Sequence, residues 1–255
     1  MSADLQPIHM QLLQLLQDHR FATSHQLVRL TQHLYGNRRS AIRQTSRHLS
    51  ELHRQQYVVR LERRIGGWQG GSAVSIWTLS TKGIRHLNGT ARRIRPHHHS
   101  TTFLQHHLAI TETRVVLHEA ARQYQRELEV QLEPDCWRHF LSNHGTKTIL
   151  KPDLAVTVTS SDYVDRYFIE VDRATENPAR VIRKCLHYEH YRRSGTEQEL
   201  HGVYPAVVWI VPHQERKSKL LRALDTEPKL PRHLFTVITP NELSALIRDG
   251  PPTAA

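Results

Sequence analysis

The sequence predicts an α+β protein of two domains, on three observations. The first ninety residues read as three helices followed by a β-hairpin. The second half alternates helices and strands in the manner of a mixed sheet flanked by helices. Between them, NGTARRIRPHHHSTT is polar and basic, with one glycine and one proline, as a linker would be. The expected division is 1–88, a linker at 89–102, a second domain at 103–248 and a disordered tail at 249–255.

Composition narrows the partner before any motif does. In 255 residues the net charge is +11 and there are 20 histidines, with a pI near 10.0. A basic surplus of this size favours a polyanion, with nucleic acid ahead of a membrane, because no long apolar run or amphipathic basic tail is present. The N-terminus lacks the charged-then-apolar pattern of a signal peptide, so a cytoplasmic location is expected. Cys136 and Cys185 fit no metal or redox spacing and are expected to be buried thiols.

Taken in order, 6–19 carries Ile8, Leu12, Leu13, Leu15 and Leu16 close to helical spacing. Thr23 or Ser24 is the expected N-cap of a second short helix holding Leu27, Val28 and Leu30. Gly36-Asn37 marks a turn. A third helix over 38–55 is expected to turn Ile42, Leu49 and Leu52 inward and Arg38, Arg39, Arg43, Gln44, Arg47 and His48 outward. Two strand-like runs, 57–64 and 73–79, flank a glycine-rich tip, and Thr81-Lys-Gly-Ile reads as a short closing helix. This is the pattern of a winged helix-turn-helix. Its third helix would enter the major groove, and Arg60, Arg63, Arg64 and Trp68 of the hairpin would lie along the backbone. The competing reading is a helical protein-contact domain with a solvated basic face. His97, His98 and His99, with His106 and His107, are expected to be surface histidines rather than metal ligands.

In the second half, 103–125 reads as a helix, 127–133 as a strand and 134–148 as irregular chain. Two strands follow, 150–159 and 167–173, joined at Ser160-Ser161-Asp162. Alternation puts Asp153, Ala155 and Thr157 on one face of the first; Glu170 and Asp172 share a face of the second. Two carboxylates on a strand that reads as buried call for a positive neighbour, and a divalent cation is the usual one. Asn177-Pro178 opens a helix as N-cap and first turn. The run 205–212 is apolar on both faces, as in a covered strand. Helix 215–224, strand 234–238 and a last helix from 240 complete the chain.

Helix, three strands, helix, strand, with Pro152-Asp153 opening one strand and Glu170-Val-Asp172 in the next, resembles the PD-(D/E)xK nuclease core. The fuller run Phe168-Ile-Glu-Val-Asp-Arg-Ala-Thr-Glu, with Arg183-Lys184 and Tyr188, resembles more closely the replication-relaxation family of bacterial plasmids and integrated mobile elements. The likeness extends over about 6–238. It implies a protein of replication, relaxation or transfer, working on double-stranded DNA with other replication or transfer proteins, and possible nicking with Mg²⁺ or Mn²⁺. By the nuclease pattern Asp153 and Glu170 would be metal ligands, with the Val171 carbonyl beside them and Glu112, preferred to Glu119, as an upstream acid. Where that pattern has lysine this chain has Asp172, which would be a third ligand or the mark of a core without chemistry. Lys184, ahead of Arg173, is the candidate to replace the lysine. The alternatives are a non-catalytic DNA-binding accessory factor or regulator, and, more distantly, a relaxase with Tyr188 or Tyr191 as nucleophile.

Overall fold

A computed structural model describes residues 5–61, 75–89, 100–142 and 145–251. The chain divides into two compact units, 1–115 and 116–255. It is a mixed α+β structure.

The first unit begins with α1 (Pro7–His19), a two-residue strand β1 (Ala22–Thr23), α2 (Ser24–Thr31) and α3 (Arg38–Arg54). The caps follow local chemistry: the Thr23 hydroxyl accepts from Gln26 N at the head of α2. The Asn37 carboxamide accepts from Ser40 N, 2.8 Å, at the head of α3. Strands β2 (Val58–Leu61) and β3 (Ile76–Leu79) pair antiparallel, and β1 joins the far edge of β3. A short helix α4 (Thr81–Asn88) closes the sheet. Leu12, Leu13, Leu16, Leu27, Leu49, Leu52, Tyr57, Val58 and Trp77 form one core. Gly83 is required there: a Cβ would lie 2.2 Å from the Tyr57 carbonyl oxygen.

Ile42 departs from expectation. The buried line of α3 is Ala41, Thr45, Leu49 and Leu52, and Ile42 is 46% exposed. At 100° per residue a helix cannot turn both Ala41 and Ile42 to one narrow seam, and the smaller side chain takes the contact with α2. His106 and His107 also differ from a surface reading, because they lie in helix α5 (Thr101–Gln123) and His107 is buried against Phe103. The division between units falls inside this helix. His97, His98, His99, Arg63, Arg64 and Trp68 lie outside the described residues, as do most of the expected linker and tail.

The second unit is built on a five-stranded sheet of β4 (Glu127–Gln131), β7 (Leu154–Thr159), β8 (Val164–Val171), β9 (Ala206–Ile210) and β10 (Phe235–Ile238), in the order β10-β9-β8-β7-β4. The β4/β7 and β7/β8 pairs are antiparallel, and β8/β9 and β9/β10 parallel. The parallel pairs need crossovers: α6 (Pro178–Arg193) and α7 (Thr196–His201) between β8 and β9, and α8 (Gln214–Asp225) between β9 and β10. Helix α9 (Leu243–Asp249) ends the unit. Phe168, Val207, Trp209, Phe235 and Val237 on one sheet face pack with Val181, Cys185, Tyr188 and Tyr191 of α6 and Leu220 of α8.

The stretch expected to be irregular holds a hairpin instead, β5 (Arg138–Leu141) and β6 (Lys147–Leu150). Its loop polarity hid the pairing, and Leu150 closes this hairpin rather than opening β7. Both cysteines are buried and free. Among the described residues no helix is long and apolar enough to cross a membrane.

Candidate nucleic-acid interface and acidic site

Opposite its buried seam, α3 presents arginine. Arg38, Arg39, Arg43 and Arg47 are exposed, with Gln44 and His48 half-buried at the margin. Among the described residues none of these four guanidiniums is paired with a carboxylate; Arg38 only reaches His25 Nε2 at 3.5 Å. The margin is more ordered. His9 Nδ1 accepts from the backbone N–H of Gln6, 3.4 Å, so the His9 proton resides on Nε2 and is donated to His48 Nδ1 at 3.0 Å. Burial holds both imidazoles below their ordinary pKa. Glu51 opposes this at His9, whereas His9 and Arg47 add to it at His48. Four unneutralised arginines on one exposed helix face make a fixed positive surface.

The second site lies where β7 begins and β8 ends. Leu154 pairs with Ile169, so Asp153 falls opposite Glu170 and the two carboxylates share a sheet face. Asp153 is held there by main-chain bonds: its N–H donates to Ile169 O at 3.2 Å, and Oδ2 accepts from Val171 N at 2.8 Å. Glu170 is 2% exposed. Helix α6 crosses above it, started by the Asn177 side chain accepting from Ala179 N and by Pro178 at its first position. One helical turn apart, Lys184 and Tyr188 both point down at Glu170. The Lys184 ammonium donates to Oε2 and the Tyr188 hydroxyl to Oε1. Burial pushes the Glu170 carboxyl up to about 7; Lys184 pulls against this, Asp153 adds to it, and the hydrogen bonds from Lys184 and Tyr188 pull it back. For Lys184, burial opposes the charge, but the Glu170 and Asp153 carboxylates hold the ammonium above its ordinary range.

Asp172 goes elsewhere. Its backbone N–H continues the ladder to Ile210 O, and its carboxylate is gripped by Arg216 of α8, with Nε at 2.6 Å and Nη2 at 3.1 Å. Nη2 also donates to Glu176 O, 2.9 Å, and both side chains are buried. Glu112 is in the first unit, bound by the Arg29 guanidinium and the Gln26 carboxamide. Of the residues singled out from the sequence, Asp153, Glu170 and Lys184 therefore converge, while Asp172 and Glu112 have partners of their own. Among the described residues no group of three or more His, Cys, Asp or Glu side chains is placed to hold a metal ion. A cation site built on Asp153, Glu170 and Asp172 together therefore does not fit the described residues.

Tyr188 and Tyr191 are both buried, their hydroxyls donating to Glu170 and Glu197, and burial raises the pKa of each. Neither hydroxyl faces solvent as a nucleophile would. Sequence reasoning missed two buried arginine partnerships. Arg216 carried a signal: it lies four residues before the buried Leu220, hence on the inward face of α8. Arg138, which holds the buried Glu197 at 2.7 Å, carried none, because it sits on the unforeseen hairpin.

The chain thus combines a basic helical unit with a unit whose mixed sheet is flanked by helices and brings two carboxylates to one face. The family model described as replication-relaxation matches residues 13–207. The chain belongs to the replication-relaxation family, which points to a role in plasmid or mobile-element replication or relaxation. No curated protein and no solved structure matches it.

Proposed function

We propose that the chain binds double-stranded DNA of a plasmid or mobile element through a winged helix-turn-helix in its first unit, with α3 in the major groove. The observation that carries this is the exposed face of α3, where Arg38, Arg39, Arg43 and Arg47 meet no carboxylate among the described residues. Such a face gains by displacing counterions from phosphates, and a helix packed across a second short helix is the geometry that reaches base edges. Arg60 on β2 would follow the backbone. Binding of a fluorescently labelled duplex, followed by anisotropy against salt, tests the reading. Affinity should fall steeply with salt, and Arg43→Ala and Arg47→Ala should each reduce the slope by about 1. Binding without salt dependence, or unchanged in both variants, would refute it.

A second reading, phosphodiester cleavage in a nuclease-like second unit, is favoured by the convergence of Asp153, Glu170 and Lys184 on one sheet face. Asp153 and Glu170 would hold one Mg²⁺ or Mn²⁺. That ion would supply Lewis-acid polarisation of a phosphate oxygen and a water of lowered pKa. The chain supplies the rest. Val171 N–H fixes Asp153, and Tyr188 fixes Glu170 Oε1. Lys184, one-third exposed, is the cation free to turn from Oε2 to a phosphate or to the attacking water. Without cleavage, the same unit would serve as a scaffold for replication or transfer proteins. Supercoiled plasmid incubated with Mg²⁺ or Mn²⁺ separates the two: cleavage predicts nicked circles that vanish in Asp153→Asn and Glu170→Gln, and no nicking, or nicking unchanged in the variants, leaves the binding function alone.

A further inference from the structure

The α3 face is not uniformly polar. Ile42 stands in its middle, 46% exposed, with Arg38 and Arg39 one turn before it, Arg43 beside it and Ser46 one turn after. A lone exposed aliphatic side chain needs no explanation on an ordinary surface. This one is surrounded by unneutralised guanidiniums that favour a polyanion on the same face. It also lies in the first third of the helix, the part that approaches base edges in helix-turn-helix proteins. An apolar, β-branched side chain carried into a major groove meets one apolar feature there. Guanine, cytosine and adenine present only donors and acceptors, and thymine adds its 5-methyl group. Against a polar edge Ile42 would strip water and return no hydrogen bond. Against a thymine methyl it buries surface on both partners.

We infer that Ile42 is a specificity-determining residue that reads the 5-methyl group of a thymine, so that the DNA target carries an A·T pair at the position facing it. This rests on α3 being the groove-reading helix. The arginines around Ile42 would supply affinity by holding phosphates, and Ile42 would supply discrimination. A change at Ile42 should then alter which sequence is bound far more than how binding responds to salt.

The test uses the full-length protein. A random-sequence duplex pool is selected for binding, and each thymidine of the selected duplex is replaced singly by 2′-deoxyuridine, which removes only the methyl group. For the wild type, replacement at one position, or one per half-site, is expected to weaken binding about three- to five-fold. Replacement elsewhere should have little effect. In Ile42→Ala that sensitivity should disappear, while the salt slope and the circular-dichroism spectrum stay as in the wild type. A flat deoxyuridine profile for a wild type that still binds with a steep salt slope overturns the inference and leaves α3 as the DNA-binding element. Undiminished sensitivity in Ile42→Ala overturns it too, assigning the methyl to another side chain. So does a flat profile with self-association lost in Ile42→Ala by sedimentation, which would make Ile42 a protein contact. Absence of salt-dependent duplex binding overturns the α3 reading itself.

Discussion

Removing the Asp172 carboxylate should cost the second unit several kcal/mol, which separates a structural role for this acid from a metal-binding one. In Asp172→Ala, Arg216 loses two charge-assisted hydrogen bonds, at 2.6 and 3.1 Å, and keeps only the bond to Glu176 O. The side chains of Arg216 and Asp172 are 5% and 3% exposed, so water cannot replace the lost partner without opening the packing of α8 on the sheet. Breaking a buried pair on one side costs about 3–5 kcal/mol. With a urea dependence of about 2 kcal/mol per M, the unfolding midpoint should fall by roughly 2 M. The double variant Asp172→Leu/Arg216→Met removes both charges and should recover most of the loss. Equilibrium urea unfolding, followed by tryptophan fluorescence and far-ultraviolet circular dichroism, measures all three proteins. Any midpoint shift produced by Mn²⁺ should be of equal size in the wild type and in Asp172→Ala. A fall in midpoint below about 0.5 M, or an Mn²⁺ shift abolished by Asp172→Ala, would refute the assignment of Asp172 to Arg216.

Three further outcomes are expected. Glu170 has a folded pKa of about 7 against an ordinary 4.5, so the folded state holds its proton more tightly. Its contribution to stability is full below about 4.5 and is lost as pH rises through about 7. The stability of the wild type minus that of Glu170→Gln should fall across this window by on the order of 2–3 kcal/mol. Urea midpoints at several pH values would show it, and a difference that rises with pH would contradict it. Gly83→Ala puts a methyl 2.2 Å from the Tyr57 carbonyl oxygen, which already accepts from Ser80 N. The first unit should lose about 1–3 kcal/mol in thermal or urea unfolding. Asn37→Ala removes the cap of α3 and should cost about 1 kcal/mol, with a matching loss of helical signal and weaker duplex binding.

What the sequence disclosed depended on whether a feature is local. Caps and periodicity are local. Thr23, Asn177-Pro178 and the apolar lines of α1 and α6 therefore announced their helices, and alternation set the face of Asp153 on β7 and the common face of Glu170 and Asp172 on β8. That the two faces coincide depends on the register of the pair, which is not local. Ile42 departs from expectation because an apolar side chain within a helical period need not be the one that faces the core. Ala41 and Thr45 take the buried positions instead, and Thr45 Oγ1 meets Thr31 Oγ1 of α2 at 3.1 Å. The β5–β6 hairpin was missed because its strands are only four residues each and carry Arg138, His139 and Lys147, which blurs the two-residue period.

Asp172 shows the limit most clearly. Its alternation with Glu170 correctly puts both on one side of the sheet, yet face does not determine partner. The two acids are separated by about 7 Å along a strand, enough for each to lie under a different helix. Glu170 lies under α6 and takes Lys184, whereas Asp172 lies beyond the strand end and takes Arg216 from α8. Each charge is thus neutralised by a cation some 14 or 44 residues away in sequence, a distance over which spacing carries no information. The partners have different consequences. Arg216 is buried and bidentate, so the Asp172 end is fixed. Lys184 is one-third exposed and holds Glu170 through one oxygen. Of Glu170 and Asp172, Glu170 has the more exposed counter-ion, so a ligand reaching its carboxylate would displace Lys184 rather than a buried guanidinium.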